Sequence, residues 1–371
     1  MRRTGLSLAA IAAALTLPVA AHAATYTVAA GATPKTKAPA SFAQGLYDSD
    51  EFYPGSKKPL KIHVGDTVKF VGGFHTASIL GQGVKRSSFF LIQPGAAGEL
   101  YPTINDGANQ PFYFSGQQKF IYNTATLSPS GGPNVSSKAT TYNSGVLFAS
   151  PKGYSMKFTK AGKYQIVCLI HPSMNGTVDV VAPNKKVDPP AKAARQGQDE
   201  ANADVVQAID LHLNQPVAVA DPKNAVMSVG AGTKNYSLFA FYPQALSVKA
   251  GTTITFKMGG PNEVHNVGFG PYGVQTALIQ ATDLFPLGPP GTPNQAAPAL
   301  VYGTDQAVNG VYTFSGNAQH GNGLFATQAM DLDPATPQLP SSVKVTVTTP
   351  GVYTLICQIH TNMIAMLDVH A

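Results

Sequence analysis

Several features are scarce in this chain of 371 residues. It has two cysteines and no tryptophan, and charged residues make up only 12% of it. Beyond its first residues, no stretch reaches the roughly 18 consecutive apolar residues of a membrane-spanning helix. No cluster of lysine and arginine is interleaved with aromatic residues, as nucleic-acid binding would require. With 36 glycines and 29 prolines, the sequence predicts a globular, turn-rich protein without a nucleic-acid partner.

The N-terminus carries the pattern of an export signal. Two arginines precede an apolar run that ends in Ala21-His22-Ala23. A charged start, an apolar stretch and small residues at a cleavage site are typical of a signal peptide. We therefore predict that residues 1–23 are removed and that the mature protein is periplasmic, secreted or on the cell surface. No integral membrane segment is expected after this removal.

The remaining chain repeats itself at an offset of 189 residues. Phe52-Tyr53-Pro54 recurs as Phe241-Tyr242-Pro243, and KAGKYQIVC (160–168) matches TPGVYTLIC (349–357). KIHVGDTVKF (61–70) also resembles SVKAGTTITF (247–256), at an offset that is three residues shorter. Short alternating runs broken by glycine, proline and asparagine indicate antiparallel β-strands. The pattern predicts an all-β chain of two homologous domains, which span residues 24–183 and 215–371.

Between the two domains, residues 184–214 have the composition of a linker. Two prolines break the last strand of the first domain, and residues 191–213 are rich in alanine, glutamine and charged residues. This composition predicts one helix within the linker. Each domain also contains a long segment rich in glycine, proline, serine and asparagine, at residues 83–145 and 272–322, whose role the sequence does not indicate.

Both cysteines lie in the same seven-residue motif, CLIHPSM (168–174) and CQIHTNM (357–363). A disulfide would have to join equivalent positions of two domains, so metal binding is favoured. A histidine follows the matching earlier strand in each copy: His75 precedes its cysteine by 93 residues and His265 precedes its cysteine by 92. A thiolate, imidazoles and a thioether together favour copper.

Two histidines, a cysteine and a weak axial methionine form the donor set of blue-copper sites. On these motifs, and on the His-Asn-Val at His265, the sequence resembles two cupredoxins in tandem, of the plastocyanin and amicyanin kind. The resemblance implies two Greek-key β-sandwiches that bind two coppers per chain. It implies the following ligands: His75, Cys168, His171 and axial Met174 in the first domain, and His265, Cys357, His360 and axial Met363 in the second.

The resemblance implies one-electron transfer as the function, since all four ligand positions of such a site are filled by the protein. Redox protein partners would dock near His171 and His360. One departure concerns the residue after the first histidine, which is commonly asparagine in the family. The second copy has Asn266, but the first has Thr76, so the two coppers are expected to differ in reduction potential.

Two other functions stay open. A two-domain copper oxidoreductase, similar to nitrite reductase or a small multicopper oxidase, would need further histidine ligands and typically has a histidine beside the cysteine. The cysteines here have no such neighbour, no His-x-His occurs, and the histidines left over are His63, His212, His320 and His370. Copper storage or delivery would favour a methionine-rich site, whereas the 8 methionines are dispersed.

Overall fold

The structure is a computed structural model, and it describes residues 23–31, 42, 45–86, 92–94, 120–149, 152–280, 285–286, 294–296, 307–332 and 339–371. The predicted signal peptide lies outside these residues except for Ala23. Much of the two long segments at 83–145 and 272–322 also lies outside them. None of the helices in the described ranges has the length and apolar character needed to cross a bilayer.

The first half of the chain forms strands β1 (Thr25–Ala30), β2 (Tyr47–Ser49), β3 (Phe52–Tyr53), β4 (Leu60–His63), β5 (Thr67–Gly72), β6 (Thr76–Ile79), β7 (Ile92–Pro94), β8 (Phe120–Asn123), β9 (Pro129–Ser130), β10 (Asn134–Val135), β11 (Tyr142–Val146), β12 (Tyr154–Phe158), β13 (Gly162–Val167) and β14 (Asn175–Val181). Short 3-10 helices span Thr124–Leu127 and Leu147–Ala149.

After the linker helix α1 (Pro190–Leu213), the second half forms β15 (Ala218–Ala220), β16 (Val226–Thr233), β17 (Tyr236–Tyr242), β18 (Ala245–Lys249), β19 (Thr253–Met258), β20 (Gly268–Gly270), helix α2 (Tyr272–Gln280), β21 (Phe285–Pro286), β22 (Asn294–Ala296), β23 (Val311–Phe314), β24 (Phe325–Ala326), β25 (Ser342–Val347), β26 (Gly351–Ile356) and β27 (Ile364–His370). A 3-10 segment at Gly316–Gly321 is interrupted at Gln319 and His320.

Two sheets form the first sandwich, in the strand orders β10-β12-β5-β1-β3 and β4-β14-β13-β6-β11-β9. Their strands alternate between the core and the outside, as the period of two requires. In β5, for example, Val68 and Phe70 are fully buried while Lys69 between them is not. Phe70 packs edge-on against Phe52 from β3. Both rings belong to the hydrophobic core of the first sandwich.

The second sandwich repeats this arrangement with sheets β15-β18-β27-β26-β20-β24 and β2-β17-β16-β19-β25-β23. In β19, Ile254, Phe256 and Met258 point into the core and alternate with outward residues. The parallel pairing of β1 with β5 is matched by that of β16 with β19. The predicted fold, two β-sandwiches in tandem joined by a linker with a helix, is confirmed.

One short segment connects the sandwiches more closely than the sequence predicts. Strand β2 precedes the first domain's β3 but pairs with β17 of the second domain, with Ser49 opposite Tyr236. A few residues later, β3 pairs with β1 in the first sandwich. Residues 47–53 therefore belong to sheets of both domains. The domain boundaries at residues 183 and 215 stay a prediction. A strand from the first predicted domain, β2, nevertheless joins a sheet of the second sandwich.

Helix α1 packs its alanine-rich face on both domains. It begins at Pro190, where the missing N–H of proline costs no hydrogen bond. Asp204 is fully buried in the middle of the helix, and it accepts hydrogen bonds from the Tyr53 hydroxyl (2.6 Å) and the Lys57 ammonium (2.6 Å). A buried carboxylate requires such partners, and these partners attach the linker to the first domain.

The long segments of the two domains also meet. Strands β7 and β8 from residues 83–145 join β21 and β22 from residues 272–322 in one four-stranded sheet, ordered β21-β22-β8-β7. Asn294 pairs with Asn123 and Gln295 with Tyr122. The segments whose role the sequence does not indicate thus provide a second connection between the domains.

Candidate metal centres

The first cluster of candidate metal ligands consists of His75, Cys168 and His171. The last two lie in the loop after one strand, and His75 lies just before another. His75 directly precedes β6, and Cys168 directly follows β13, the antiparallel neighbour of β6. The Sγ atom of Cys168 lies 4.0 Å from Nδ1 of His75 and 3.8 Å from Nδ1 of His171. The two Nδ1 atoms are 2.8 Å apart. All three side chains are buried.

The second cluster has the same construction. Cys357 follows β26, and its Sγ atom lies 3.6 Å from Nδ1 of His265 and 3.8 Å from Nδ1 of His360. The two Nδ1 atoms are 3.0 Å apart. His265 and Cys357 are buried, whereas the His360 side chain is 19% exposed to solvent.

The two methionines close their loops and are fully buried. In the first loop, the Cys168 N–H donates to the Met174 carbonyl (3.2 Å), and the Met174 N–H donates to the His171 carbonyl (3.1 Å). The second loop repeats both bonds, through Met363, at 3.0 and 2.9 Å. Met366, three residues after Met363, is 45% exposed on β27. The loop geometry therefore places Met363, like Met174, on the inner side.

The spacing of these donors fits a bound copper ion. Donor atoms bind such metals at about 2.0–2.3 Å, so a sulfur and a nitrogen about 120° apart would be separated by about 3.8 Å. The four Sγ–Nδ1 distances, 3.6 to 4.0 Å, agree with this separation. The Nδ1–Nδ1 distances are shorter, so the rings would move apart by less than about 1 Å around an ion. One thiolate and two imidazoles are the strong donors of a blue-copper site.

The residue after the first histidine ties the two ligand segments together in both domains. The Asn266 side chain accepts a hydrogen bond from the Gln358 N–H (2.9 Å) and donates one to the Gln358 side chain (2.8 Å). In the first domain the Thr76 hydroxyl accepts the corresponding bond from the Leu169 N–H (2.8 Å). Thr76 thus accepts the same backbone hydrogen bond in the first domain that Asn266 accepts in the second.

Arg86 is a site residue that sequence reasoning missed. Its guanidinium donates hydrogen bonds to the carbonyl oxygens of Cys168, His171 (2.9 Å) and Met174 (3.0 Å). The planar fork of arginine suits several acceptors at once. The side chain therefore clamps the whole first loop from one side. Nothing in CLIHPSM indicates this, because Arg86 is 82 residues away from Cys168.

Two glycines make room for the upstream histidines. Gly31 follows β1 with φ +63°, and Gly230 lies in β16 with φ +73°. A Cβ atom at Gly31 would collide with the His75 ring, and one at Gly230 would lie 2.7 Å from Nε2 of His265. Both the left-handed backbone and the contact therefore require glycine.

Carboxylates surround the first cluster. Asp48 Oδ1 lies 3.4 Å from Nε2 of His75, and Asp50 Oδ1 lies 3.6 Å from Nδ1 of His171. Glu263, from the second domain, reaches both loop histidines: Oε1 lies 3.3 Å from Nε2 of His171, and Oε2 lies 3.2 Å from Nε2 of His360. Sequence reasoning missed all three, although the acid cluster around residues 48–51 is visible as DSDE.

These neighbours set the protonation of the metal-free donors. Burial alone would raise the pKa of both thiols, but hydrogen bonds from the paired histidines hold the pKa of Cys168 and of Cys357 well below its usual range. Burial alone would lower the pKa of His75, but Asp48 raises it to about 9. Thiolate is the form that binds metal, so the polar surroundings favour the ligand form of sulfur.

The remaining histidines are placed elsewhere. His63 contacts the Lys185 carbonyl (2.8 Å), His212 the Tyr242 hydroxyl (2.9 Å) and His370 the Asp221 carboxylate (2.9 Å). Across the described ranges, neither these three nor His320 joins a group of metal-ligating side chains.

No protein-family model matches the sequence, and no curated protein matches it. In structure the chain is similar to oxidized plastocyanin from Dryopteris crassirhizoma, at 26% identity over 39% of this chain and 100% of that one, with a TM-score of 0.20. It is also similar to reduced auracyanin from Roseiflexus castenholzii (18%, 41% and 99%, TM-score 0.24). Copper-containing nitrite reductase from Thermus scotoductus matches at 14% identity over 94% of this chain and 68% of that one, with a TM-score of 0.21.

The strand order and the two equivalent clusters agree with the arrangement that the sequence motifs imply. The described chain thus consists of two β-sandwiches in tandem, each with one His–Cys–His cluster at equivalent positions.

Proposed function

We propose that this protein is an exported electron-transfer protein with two type 1 copper sites, one in each domain. The observation that carries the proposal is the pair of buried clusters, each with one thiolate and two Nδ1 atoms at copper-donor spacing. His75, Cys168, His171 and Met174 would hold one copper, and His265, Cys357, His360 and Met363 the other. Copper in such a site supplies one-electron chemistry.

The protein's part in this function is to hold the donors rigidly and to exclude water. Both cysteines and both methionines are fully buried, and the loops that carry them are closed by backbone hydrogen bonds. The ties from Thr76 and Asn266 fix the two ligand segments against each other. A donor set held in one geometry changes little between redox states, which is what electron transfer requires.

Export is supported by a contact at the predicted cleavage point. The backbone nitrogen of Ala24 lies 2.7 Å from Oδ1 of Asp66, which is buried. Cleavage after Ala23 would turn this nitrogen into a charged amino group beside a carboxylate. Such a charge-assisted hydrogen bond is stronger than the neutral one it replaces.

We further propose that redox proteins dock near His171 and His360. His360 offers the more open approach, because Thr361, Asn362 and Ile364 beside it are exposed. His171 is only 4% exposed, so a partner would reach its loop through the half-buried Ile170 and Pro172. Small interfaces and brief contacts are typical of redox partners.

A copper oxidoreductase is the second candidate, and one observation bears on it. Asp48, Asp50, Glu263 and His171 form a further group whose ligand atoms lie within 4.8 Å of one another. A catalytic metal needs an open position and its own donors. Within the part of the chain that the structure describes, the single histidine of this group, His171, already belongs to the first cluster. The geometry therefore favours the carrier.

Copper stoichiometry with visible and EPR spectra tests the proposal. We expect two coppers per chain, both intensely blue, and one copper in each of the variants Cys168→Ser and Cys357→Ser. An additional type 2 signal would favour the oxidoreductase. Colourless Cu(I) that resists oxidation would favour storage, and failure to bind copper would exclude all three functions.

A further inference from the structure

The two loop histidines face each other across the domain boundary, with one carboxylate between them. Oε1 of Glu263 lies 3.3 Å from Nε2 of His171, and Oε2 of the same side chain lies 3.2 Å from Nε2 of His360. Glu263 is 7% exposed, and among the described residues its Oε1 has no hydrogen-bond partner, so this oxygen can accept a bond from the nearby Nε2 of His171. Each oxygen of this buried carboxylate thus faces the outer nitrogen of a different cluster.

The chemistry of the clusters decides what these outer nitrogens do. The nitrogen of each loop histidine that faces a cysteine sulfur is Nδ1, at 3.8 Å in both domains. When Nδ1 binds a metal, the neutral imidazole carries its proton on Nε2, which becomes a donor. Both histidines then present an N–H to the same side chain. A carboxylate can accept from both sides, whereas an amide accepts only through its oxygen.

The second domain holds Glu263 in this place. Glu263 lies two residues before His265, so it is carried by the ligand segment of the second cluster yet reaches the first. Its neighbour Asn262 donates hydrogen bonds to Asp50 (2.7 Å) and to the Thr233 carbonyl (2.9 Å), and it contacts the Ser173 hydroxyl in the first loop. The two ligand loops are therefore docked on each other around residues 262 and 263.

We propose that Glu263 is a bridging residue that orients both loop histidines at once and thereby couples the two metal centres into one unit. This inference rests on the proposed function, since it assumes metal on Nδ1 in both clusters. It differs from the picture of two independent carriers, in which each loop histidine faces solvent. Glu263 positions ligands and does not bind the metal.

Nitrogen-15 NMR of the copper(I)-loaded full chain tests the bridge without any electron-transfer assay. Copper(I) is diamagnetic, so the Nε2–H protons of His171 and His360 can be observed directly. We expect two Nε2–H signals that are shifted downfield and protected from solvent exchange. Glu263→Gln should keep one of them and lose the other, and Glu263→Ala should lose both.

Glu51→Gln is the matched control, because it makes the same Glu-to-Gln change at a buried carboxyl group that contacts neither cluster; both protected signals should remain. Two rapidly exchanging Nε2–H groups in the unaltered protein would overturn the bridge even if no variant folded. So would a Glu263→Gln variant with both signals unchanged. The copper content distinguishes failure of the Glu263 bridge from failure of the proposed function. Two bound coppers without the protected signals would refute only the bridge. A protein that binds no copper would refute the proposed function as well.

Reduction potentials give an independent readout. Removing a negative charge shared by both centres disfavours the cupric state at each. Glu263→Gln should therefore raise both potentials, and Glu51→Gln should leave both within error. A shift confined to one centre, or no shift, would contradict a shared bridge.

Discussion

Single residues make the two centres unequal although their donors are the same. At the offset of 189 residues, Asp50 corresponds to Phe239. Asp50 places a carboxylate oxygen 3.6 Å from His171, whereas the Phe239 ring stacks on His360 with centroids 4.5 Å apart and planes 10° apart. Besides Glu263, which both loop histidines share, His171 thus has a second carboxylate beside it, whereas His360 has a stacked aromatic ring.

Gly230 offers a direct test of how closely the backbone fits a ligand ring. In Gly230→Ala, the new Cβ would lie 2.7 Å from Nε2 of His265, at a φ of +73° that L-residues rarely adopt. The ring must shift, so we expect the copper affinity of the second centre to fall by about 10- to 100-fold. Competition with a chelator measures this. The first centre in the same chain is the control, and an unchanged second centre would contradict the steric argument.

Arg86 should matter to the first centre only. Arg86→Met keeps much of the aliphatic stem but removes the donors to three carbonyls of the first loop. Hydrogen bonds from a charged donor contribute about 1.5–3 kcal/mol each, so loss of the clamp should speed copper release from the first centre by at least about tenfold. Stopped-flow transfer to a chelator measures the rate. Equal acceleration at both centres would instead indicate a general loss of stability.

At the scale of elements, the segment at residues 47–53 has the most unusual role. Its first part is a strand of the second domain's sheet, and its last part is a strand of the first domain's sheet. Within the same segment, the side chains of Asp48 and Asp50 approach the first cluster, and the Glu51 side chain lies near Asp204 of the linker helix. Domain pairing, helix docking and the surroundings of one metal centre are thus determined by the same few residues.

The Glu51 carboxyl makes this junction sensitive to pH. Burial and the nearby Asp204 raise its pKa from 4.5 to about 8, although Lys57 opposes the shift. Between these two values the folded protein holds a proton that the unfolded chain releases, so the free energy of unfolding should fall as pH rises from about 4.5 to about 8. Glu51→Gln keeps the side chain neutral and removes this dependence.

Denaturant unfolding of both proteins across this pH window gives the comparison. Groups other than Glu51 titrate in both proteins, so only the difference between the two curves is informative. That difference should be smallest near pH 4.5 and should grow in favour of the glutamine variant up to pH 8. A constant difference would show that Glu51 does not hold the extra proton.

The elements differ in how far the sequence could predict them. Alternating strands and the alanine-rich helix depend on local pattern, and both appear where expected, as in β19 and α1. The pairing of Tyr47–Ser49 with the other domain could not be predicted, because register between distant strands leaves no local pattern. The clusters could be located because spacing repeats in two copies. Glu263 and Arg86 could not, because their roles arise only from three-dimensional proximity.

For the whole molecule, the arrangement of the two domains places both candidate metal centres at one interface. Contacts among Asp50, Asn262 and Ser237 join the domains beside the first loop, and Glu263 lies between the two loop histidines. The polar groups around the centres therefore come from both domains. If the proposed coppers are bound, a property of one centre, such as its reduction potential, would depend on residues of the other domain.

The first centre should have the lower reduction potential. Asp48 and Asp50 add two carboxylates near it, Arg86 offsets one, and Glu263 is common to both centres. A unit charge at about 5 Å in a medium of effective dielectric constant about 20 contributes about 3 kcal/mol. Backbone N–H groups also approach the sulfur more often in the first domain, from Thr76, Ile170 and His171. Such weak bonds raise the potential but contribute only about 0.5–1 kcal/mol each.

Redox titration of Cys357→Ser and Cys168→Ser, which keep the first and the second centre respectively, checks this order. The titration should be done at pH 8. Burial raises the pKa of Asp50 to about 6, so at pH 8 its carboxyl group is ionised. Asp50→Asn should raise the potential of the first centre, whereas the second centre, covered by Phe239, should change less. Equal potentials, or a higher one at the first centre, would mean that the N–H···S bonds and Arg86 outweigh the carboxylates.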